Sequence, residues 1–344
     1  MPFEHLTLSS LGWTPELEQS FSPYRAKSLQ PARVVVEDKH HFVVFSEAGV
    51  LRAQCAGKVL HHAKSPAELP KVGDWVAIVA LPAEEKAVIH HLLPRKTRLS
   101  RKVSGRKTDE QVLVTNVDVA FIVQSLDTGF NPRRIERFTL MVREGGLRPV
   151  IVLNKADLAT DLAGWQAEAQ KVAGDTPILI VSAHTGKGMK SLRQHILPHE
   201  AAVFIGSSGV GKSSLINRLY GDEVQATTEV RANDSKGRHT TSWRELIVLP
   251  QGGLVIDTPG MREFHLWMAG DGIHETFPDL EELAAGCRFT NCSHTTEKLC
   301  AVLAAVENGS LERERYQSFL KLTREVQFLE KAAQLKRTPR AKTW

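Results

Sequence analysis

The run Gly206-Ser207-Ser208-Gly209-Val210-Gly211-Lys212-Ser213 carries the most chemistry in this 344-residue sequence. It fits G-x-x-x-x-G-K-[ST], with the apolar run Ala202-Val203-Phe204-Ile205 in front and a helix-like segment from Ser214 to Leu219 behind. The three glycines let backbone N–H groups turn inward around a phosphate, and the positive end of the following helix points to the same place. Lys212 is expected to reach the β- and γ-phosphates, and the Ser213 hydroxyl to ligate Mg²⁺. A plain glycine-rich turn is the alternative. The Lys-Ser pair in register behind a strand favours a phosphate loop, with Ser214 in the helix's first turn beside it.

Asn154-Lys155-Ala156-Asp157 follows an apolar strand-like run and reads N-K-x-D. A carboxylate there can accept from the N1–H and 2-amino groups of guanine, a donor pair that adenine lacks, while the lysine stem covers the base. Alone, the four residues also suit a surface turn. At a strand's C-terminal end, in the same domain as a phosphate loop, they point to GTP. Ser182-Ala183-His184 follows the next strand, and its backbone N–H groups are expected to face the guanine carbonyl.

Beyond the phosphate loop, Gly237-Arg238-His239-Thr240-Thr241 is polar, and Leu254-Val255-Ile256 leads into Asp257-Thr258-Pro259-Gly260. Asp257 would hold Mg²⁺ through water, the Gly260 N–H would meet the γ-phosphate, and Thr240 or Thr241 would be the switch ligand to the metal. Most GTPases place these segments before the base-reading motifs. Here the base-reading motifs come first, so the domain is circularly permuted, and the chain leaves it directly after the switch. Met261 stands where many GTPases carry a water-orienting glutamine. Slow intrinsic hydrolysis is therefore expected, with His239 the candidate to position water; an exposed loop histidine is the plainer reading.

Cys287, Cys292, His294 and Cys300 offer three thiolates and one imidazole within fourteen residues, the ligand set of a closed structural Zn²⁺ site. Elsewhere the sequence divides by periodicity. Residues 1–31 form an N-terminal extension with a weak amphipathic pattern. Residues 32–98 alternate with period two in five short strands, suggesting an OB-like β-barrel, a fold that often binds RNA, with a barrel serving only as a spacer the alternative. Residues 99–265 alternate strand and helix, with Asn131, Pro132 and Gly145 bounding one helix, which implies a mostly parallel sheet. Residues 266–344 hold the zinc ligands, helices near 297–307 and 311–335, and a basic tail. The whole is a multidomain α/β protein.

Charged residues make up 24% and hydrophobic residues 42%, ordinary for a soluble chain, and no apolar run approaches the ~20 residues of a membrane span. The first residues have neither the basic nor the apolar region of a signal peptide, so a cytoplasmic protein is expected. The formal charge of +5 is uneven: residues 94–107, a link after the barrel, hold seven Lys/Arg and no acid. Such runs in a nucleotide-binding protein favour an RNA partner over a merely solvated face.

With these motifs in place, nearly the whole chain resembles the RsgA (YjeQ) family of bacterial GTPases. The order NKAD, SA, GSSGVGKS, GRHTT, DTPG, followed by Cys-Cys-His-Cys, carries the resemblance. It implies GTP hydrolysis with Mg²⁺, stimulated by the small ribosomal subunit, in late maturation of that subunit through rRNA contact. It also implies roles for Asn154, Lys155, Asp157, residues 206–213, the four zinc ligands, and His239 in hydrolysis. Ser242-Trp243 departs from the small polar residues common after the paired threonines. The rival readings are an RNA-binding module using GTP as a structural ligand and a translation GTPase on working ribosomes. A monomer is the simpler expectation.

Overall fold

The computed structural model describes residues 7–38, 41–102, 110–127, 130–221, 244–257, 273 and 276–337. His239, Thr240, Thr241, Gly260 and Met261 lie outside the described residues, as do residues 103–107 of the basic stretch and the tail from 338.

Before the barrel comes α1 (Pro15–Arg25), capped by the Thr14 hydroxyl with Pro15 in its first turn. Its Phe21 is buried, and Trp13 lies edge-on to both Phe21 and Trp75, with ring centroids 5.6 and 4.8 Å apart. The extension therefore shares a core with Phe45 and Trp75 of the barrel.

The period-two segment forms β1 (Gln30–Asp38), β2 (His41–Ser46), β3 (Gly49–Cys55), α2 (Gly57–His62), β4 (Trp75–Leu81) and β5 (Lys86–Leu92). The strands run β1-β2-β3-β5-β4 and return to β1, with β3 and β5 parallel and the other pairs antiparallel. Alternate residues such as Val34, Val44, Val76, Ile78 and Ile89 fill the interior of this closed, OB-like barrel. Half-buried Cys55 packs beside it, and burial pushes its thiol up to about 11, so it is an inert packing residue. A register shift between Val34 and Val36 lets the far half of β1 take another neighbour, at the edge of a second sheet.

The basic stretch is more than a link. Residues 98–102 form β6 (Arg98–Lys102), paired antiparallel with β7 (Glu110–Thr115). Leu99 is buried against an apolar cluster holding Leu113 and Val114, while Arg98 faces solvent. The alternation is present, but the inward positions include Thr97 as well as Leu99, so the density of Lys and Arg hides it.

The second sheet contains β8 (Val119–Ser125), β9 (Arg148–Asn154), β10 (Ile178–Ile180), β11 (Ala201–Ile205), β12 (Arg244–Val248) and β13 (Leu254–Asp257). Its order is β10-β9-β8-β11-β13-β12, parallel except for β12, and every residue of β8 and β11 is buried, as a sheet covered on both faces requires. The helices α3 (Pro132–Glu144), α4 (Leu162–Ala173), α5 (Met189–Gln194) and α6 (Lys212–Tyr220) alternate with the strands. Asn131 caps α3, its Oδ1 accepting from the Arg134 N–H, and Asp161 caps α4. β1 joins this sheet beside β12, Val36 and Glu37 opposite Glu245 and Arg244, so barrel and sheet are continuous.

The C-terminal helices are α7 (Pro278–Ala284), α8 (Ala301–Glu307) and α9 (Arg313–Arg337). The helix expected near 297–307 begins later, because Leu299 takes a left-handed φ of 63° and Cys300 serves as the cap, accepting from the Leu303 N–H. Phe277, Leu280, Val302, Phe319 and Val326 share one core with Phe138 and Leu140 of α3.

Candidate functional site

The phosphate-loop sequence folds between β11 and α6. Gly206 is pressed so closely on the end of β8 that a Cβ there would sit 2.4 Å from the Val123 carbonyl oxygen. Gly211 has φ of 93°, and its Cβ would meet Asn154 Nδ2 at 2.3 Å. Any side chain at either position would force the loop open. No side chain caps α6, which begins at Lys212, so its first N–H groups face the loop. The Lys212 ammonium donates to the Gly206 and Ser207 carbonyls at 2.9 and 2.8 Å, and Val210 is buried beneath. Ser208, Gly209, Ser213 and Ser214 are exposed. Parallel pairing of β13 with β11 sets Asp257 at the same edge of the sheet as this loop.

The residues expected to read the base gather beside it, at the C-terminal ends of β9 and β10. Asn154 is 1% exposed. Its Nδ2 donates to the Val210 carbonyl at 2.8 Å, and its Oδ1 accepts from the Ala183 N–H at 3.2 Å. It therefore ties loop 154–157 to both the phosphate loop and the 182–184 turn, and the Ala183 N–H expected to face the base is given to Asn154. Lys155 has φ of 63° and donates from Nζ to Asp127 at 2.8 Å. Ala156 is buried, its N–H bonded to the Val181 carbonyl. The exposed Asp157 carboxylate accepts the hydroxyl of buried Ser182, and this bond holds its pKa below the usual carboxylate value. An ionised acceptor is thus aimed at solvent from a fixed position.

A cavity of 490 Å³ opens over these residues, large enough for part of a nucleotide. His184, already part of the expected 182–184 turn, lines it too, as do Leu158, Asn217 and Arg218, which sequence reasoning missed. Leu158 adjoins a recognised motif, and at 62% exposure it is an unusually bare apolar side chain. Asn217 and Arg218 lie three and four residues beyond Ser214, so helical spacing from the phosphate loop would have found them.

The four metal-ligand candidates converge, their ligand atoms all within 4.8 Å of one another. His294 Nδ1 is 3.6 Å from Cys287 Sγ and 3.4 Å from Cys300 Sγ, and the two sulfurs are 3.8 Å apart. For comparison, sulfurs about 2.3 Å from a tetrahedral centre stand about 3.8 Å apart. All three cysteines are free thiols. Burial opposes ionisation of Cys287, yet backbone N–H groups of Val302 and Ala301 bring its pKa below the ordinary thiol value. Burial and the neighbouring cysteines push Cys292 up to about 11. Three thiols and an imidazole this close together suit a divalent cation, and the donor set can hold one without an open position. The Tyr316 hydroxyl donates to the His294 carbonyl at 2.6 Å, fastening the cluster to α9.

This arrangement matches known proteins along most of its length. The family model described as RsgA GTPase matches residues 92–267. A protein of Opitutus terrae named small ribosomal subunit biogenesis GTPase RsgA is 45% identical over 329 residues, covering 93% of this chain and 90% of that one. The chain belongs to the RsgA GTPase family. A protein of the same name from Syntrophotalea carbinolica is 43% identical over the same shares. Among solved structures, YjeQ from Thermotoga maritima superposes with a TM-score of 0.63 at 27% identity, covering 87% of this chain and 98% of its own. YloQ, described as a circularly permuted GTPase, gives 0.60 at 25%, covering 91% and 97%. As an RsgA-family member the protein is a GTP-hydrolysing enzyme, and its N-K-x-D segment precedes the phosphate-loop motif in the permuted order. Among the described residues no helix is long and apolar enough to cross a membrane.

Proposed function

We propose that this protein is a cytoplasmic GTPase of small ribosomal subunit biogenesis, acting late in maturation and stimulated by contact with the subunit's rRNA. The observation that carries the nucleotide reading is the Asp157 carboxylate, held ionised by Ser182 above a cavity that also touches the phosphate loop. In this reading Asp157 accepts from the guanine N1–H and 2-amino groups and the Lys155 stem covers the base. Asn154, Ala156, Ser182 and Ala183 hold the corner in shape. Residues 206–214 wrap the phosphates, and Lys212 exchanges its two carbonyl partners for phosphate oxygens of higher charge. Ser213, Asp257 and Thr240 or Thr241 would hold Mg²⁺, which offsets phosphate charge, and Gly260 would meet the γ-phosphate. His239 is assigned to water positioning, since Met261 has no group for it.

The cluster at 287–300 is assigned a structural Zn²⁺ that fixes α8 and α9. The barrel, with its neighbouring basic hairpin, is assigned to rRNA.

The test is GTP hydrolysis by the purified protein, alone and with isolated small or large subunits, with ATP as control. Stimulation by small subunits alone is expected. A rate indifferent to small subunits would overturn the subunit-dependent reading while leaving the GTPase itself intact.

A further inference from the structure

Helix α3 lies between two sets of polar contacts that the family reading does not use. At its first turn, Arg134 Nη1 donates to the Ser207 hydroxyl at 3.1 Å. Ser207 is the second residue of the phosphate loop, and its carbonyl is one of the two acceptors of the Lys212 ammonium. The same residue is thus held through its side chain by α3 and through its carbonyl by the lysine expected to meet the phosphates. Its neighbour Gly206 packs against the Val123 carbonyl with no room for a Cβ. A displacement transmitted by Arg134 would act first on Ser207, the residue it touches.

Two and three residues further along, α3 is fastened to the C-terminal helices. Glu136 is fully buried, accepting from Arg315 Nη1 at 2.8 Å, from Arg133 Nη1 at 3.0 Å and from the Ser318 hydroxyl. Arg315 also grips both oxygens of Asp279 on α7, at 2.5 and 2.6 Å. Burial pulls the Arg315 pKa down, but Asp279 and Glu136 outweigh it and hold the group above its usual value. Arg137 meets both carboxylate oxygens of Glu325 on α9, at 2.8 and 3.1 Å. Paired forks of this kind have strict geometry. These two joints make α3 the element that a shift of α9 would load first.

We propose that α3 is the element through which a partner docked on the C-terminal helices adjusts the phosphate loop, with Arg134 as the positioning residue at the loop end. The contact series is α9, Arg137 and Glu136, Arg134, Ser207, Lys212. It rests on the small-subunit reading of the protein's function and says how docking reaches a site whose sequence lacks a water-orienting glutamine. Because coupling free energy is reciprocal, nucleotide bound at the loop also biases α9.

The test uses the full-length protein and reads GTP turnover without subunits and at saturating small subunits, together with subunit affinity and melting temperature. Arg137→Glu and Glu325→Arg are each expected to leave subunit-free turnover within about twofold and to lower saturated turnover about tenfold, inside the usual range for coupling between sites. The double exchange Arg137→Glu/Glu325→Arg should recover at least half of the loss. Glu325→Gln, a gentler change, should give about a threefold loss and guards against misfolding. Arg134→Ala should lower saturated turnover more than it changes GDP affinity, and Arg134→Lys should recover part. Saturated turnover that stays unchanged while only subunit affinity or melting temperature falls would make the joint a docking or stability contact and overturn the proposal. Failure of the double exchange to rescue would do the same. If the unaltered protein is not stimulated, the subunit reading fails first and α3 has nothing to transmit. If it is stimulated and the variants match it, only the α3 proposal fails.

Discussion

The base corner and the joint between α3 and α9 are both polar networks, but they are built on opposite terms. At the base corner, Asp157 is exposed, and its partner Ser182 lies 25 residues away. The bond from Ser182 keeps the group charged and fixed while leaving it open to solvent. At the joint, Glu136 is fully buried, and its partners Arg315 and Ser318 lie 179 and 182 residues away. There the charges are satisfied by one another, and the product is a fixed relation between two parts of the chain. An exposed carboxylate held in place is left open to meet a ligand, whereas a buried one with three donors is spent on geometry.

Metal removal should separate the two regions most strongly. A structural zinc supplies roughly 10–16 kcal/mol in isolated finger peptides, so losing it from the 287–300 cluster should dissolve the support of α9. Tyr316 would lose its fixed acceptor at His294, and the joint with α3 would loosen. Cys300→Ser is expected to abolish stoichiometric zinc in elemental analysis and to remove helical signal, while GDP still binds. Loss of GDP binding together with the helical signal would show that the two regions fold as one unit.

Next in size is the base itself. Asp157→Asn replaces an acceptor by a group that also donates, which suits the 2-keto group of xanthine. Competition binding should show GTP affinity down by about a hundredfold or more and xanthosine triphosphate favoured instead, as for sites built to hydrogen-bond a substrate's N–H groups. Retained GTP preference would mean that the corner is scaffold rather than reader. Glu136→Gln acts on the other region. Breaking a buried ion pair costs about 3–5 kcal/mol, and because Arg315 keeps Asp279, a loss near the lower end is expected in urea unfolding. Nucleotide preference should not change.

The same contrast explains what could be read from the sequence. The glycine-rich turn between β11 and α6, and the convergence of Cys287, Cys292, His294 and Cys300, were legible because the chemistry expected of them dictates residue type and spacing. The α3 boundaries were legible because Asn131, Pro132 and Gly145 act locally on the backbone. That Asn154 would spend its side chain on Val210 and Ala183 was not legible, since the motif gives its identity and not its partner. Glu136 reads in sequence as one more charge on an amphipathic helix, and nothing within a few residues marks it as buried. The β6–β7 hairpin was hidden because charge density in residues 94–107 outweighed the buried position of Leu99. Long-range pairing of polar groups leaves no local pattern, which is why the joint emerged only from the structure.

The smallest expected effect tests the base corner's preparation. The Ser182 hydroxyl is the first cause of Asp157's lowered pKa. A carboxylate with a depressed pKa keeps its charge, and the binding that depends on it, above its ordinary value and loses both as pH falls through the lowered one. Ser182→Ala removes that donor and returns Asp157 toward the ordinary range, so its acid loss should begin at higher pH. Near neutrality Asp157 is ionised in both proteins, and GDP affinities should differ by only about threefold, the worth of a hydrogen bond at an exposed site. Titrating GDP binding downward from pH 7 should therefore give two curves that start close together and diverge on the acid side, with Ser182→Ala failing first. Curves that stay parallel to the lowest pH at which both proteins remain folded would mean that Ser182 orients Asp157 without tuning it, making this corner, like the joint, a matter of geometry alone.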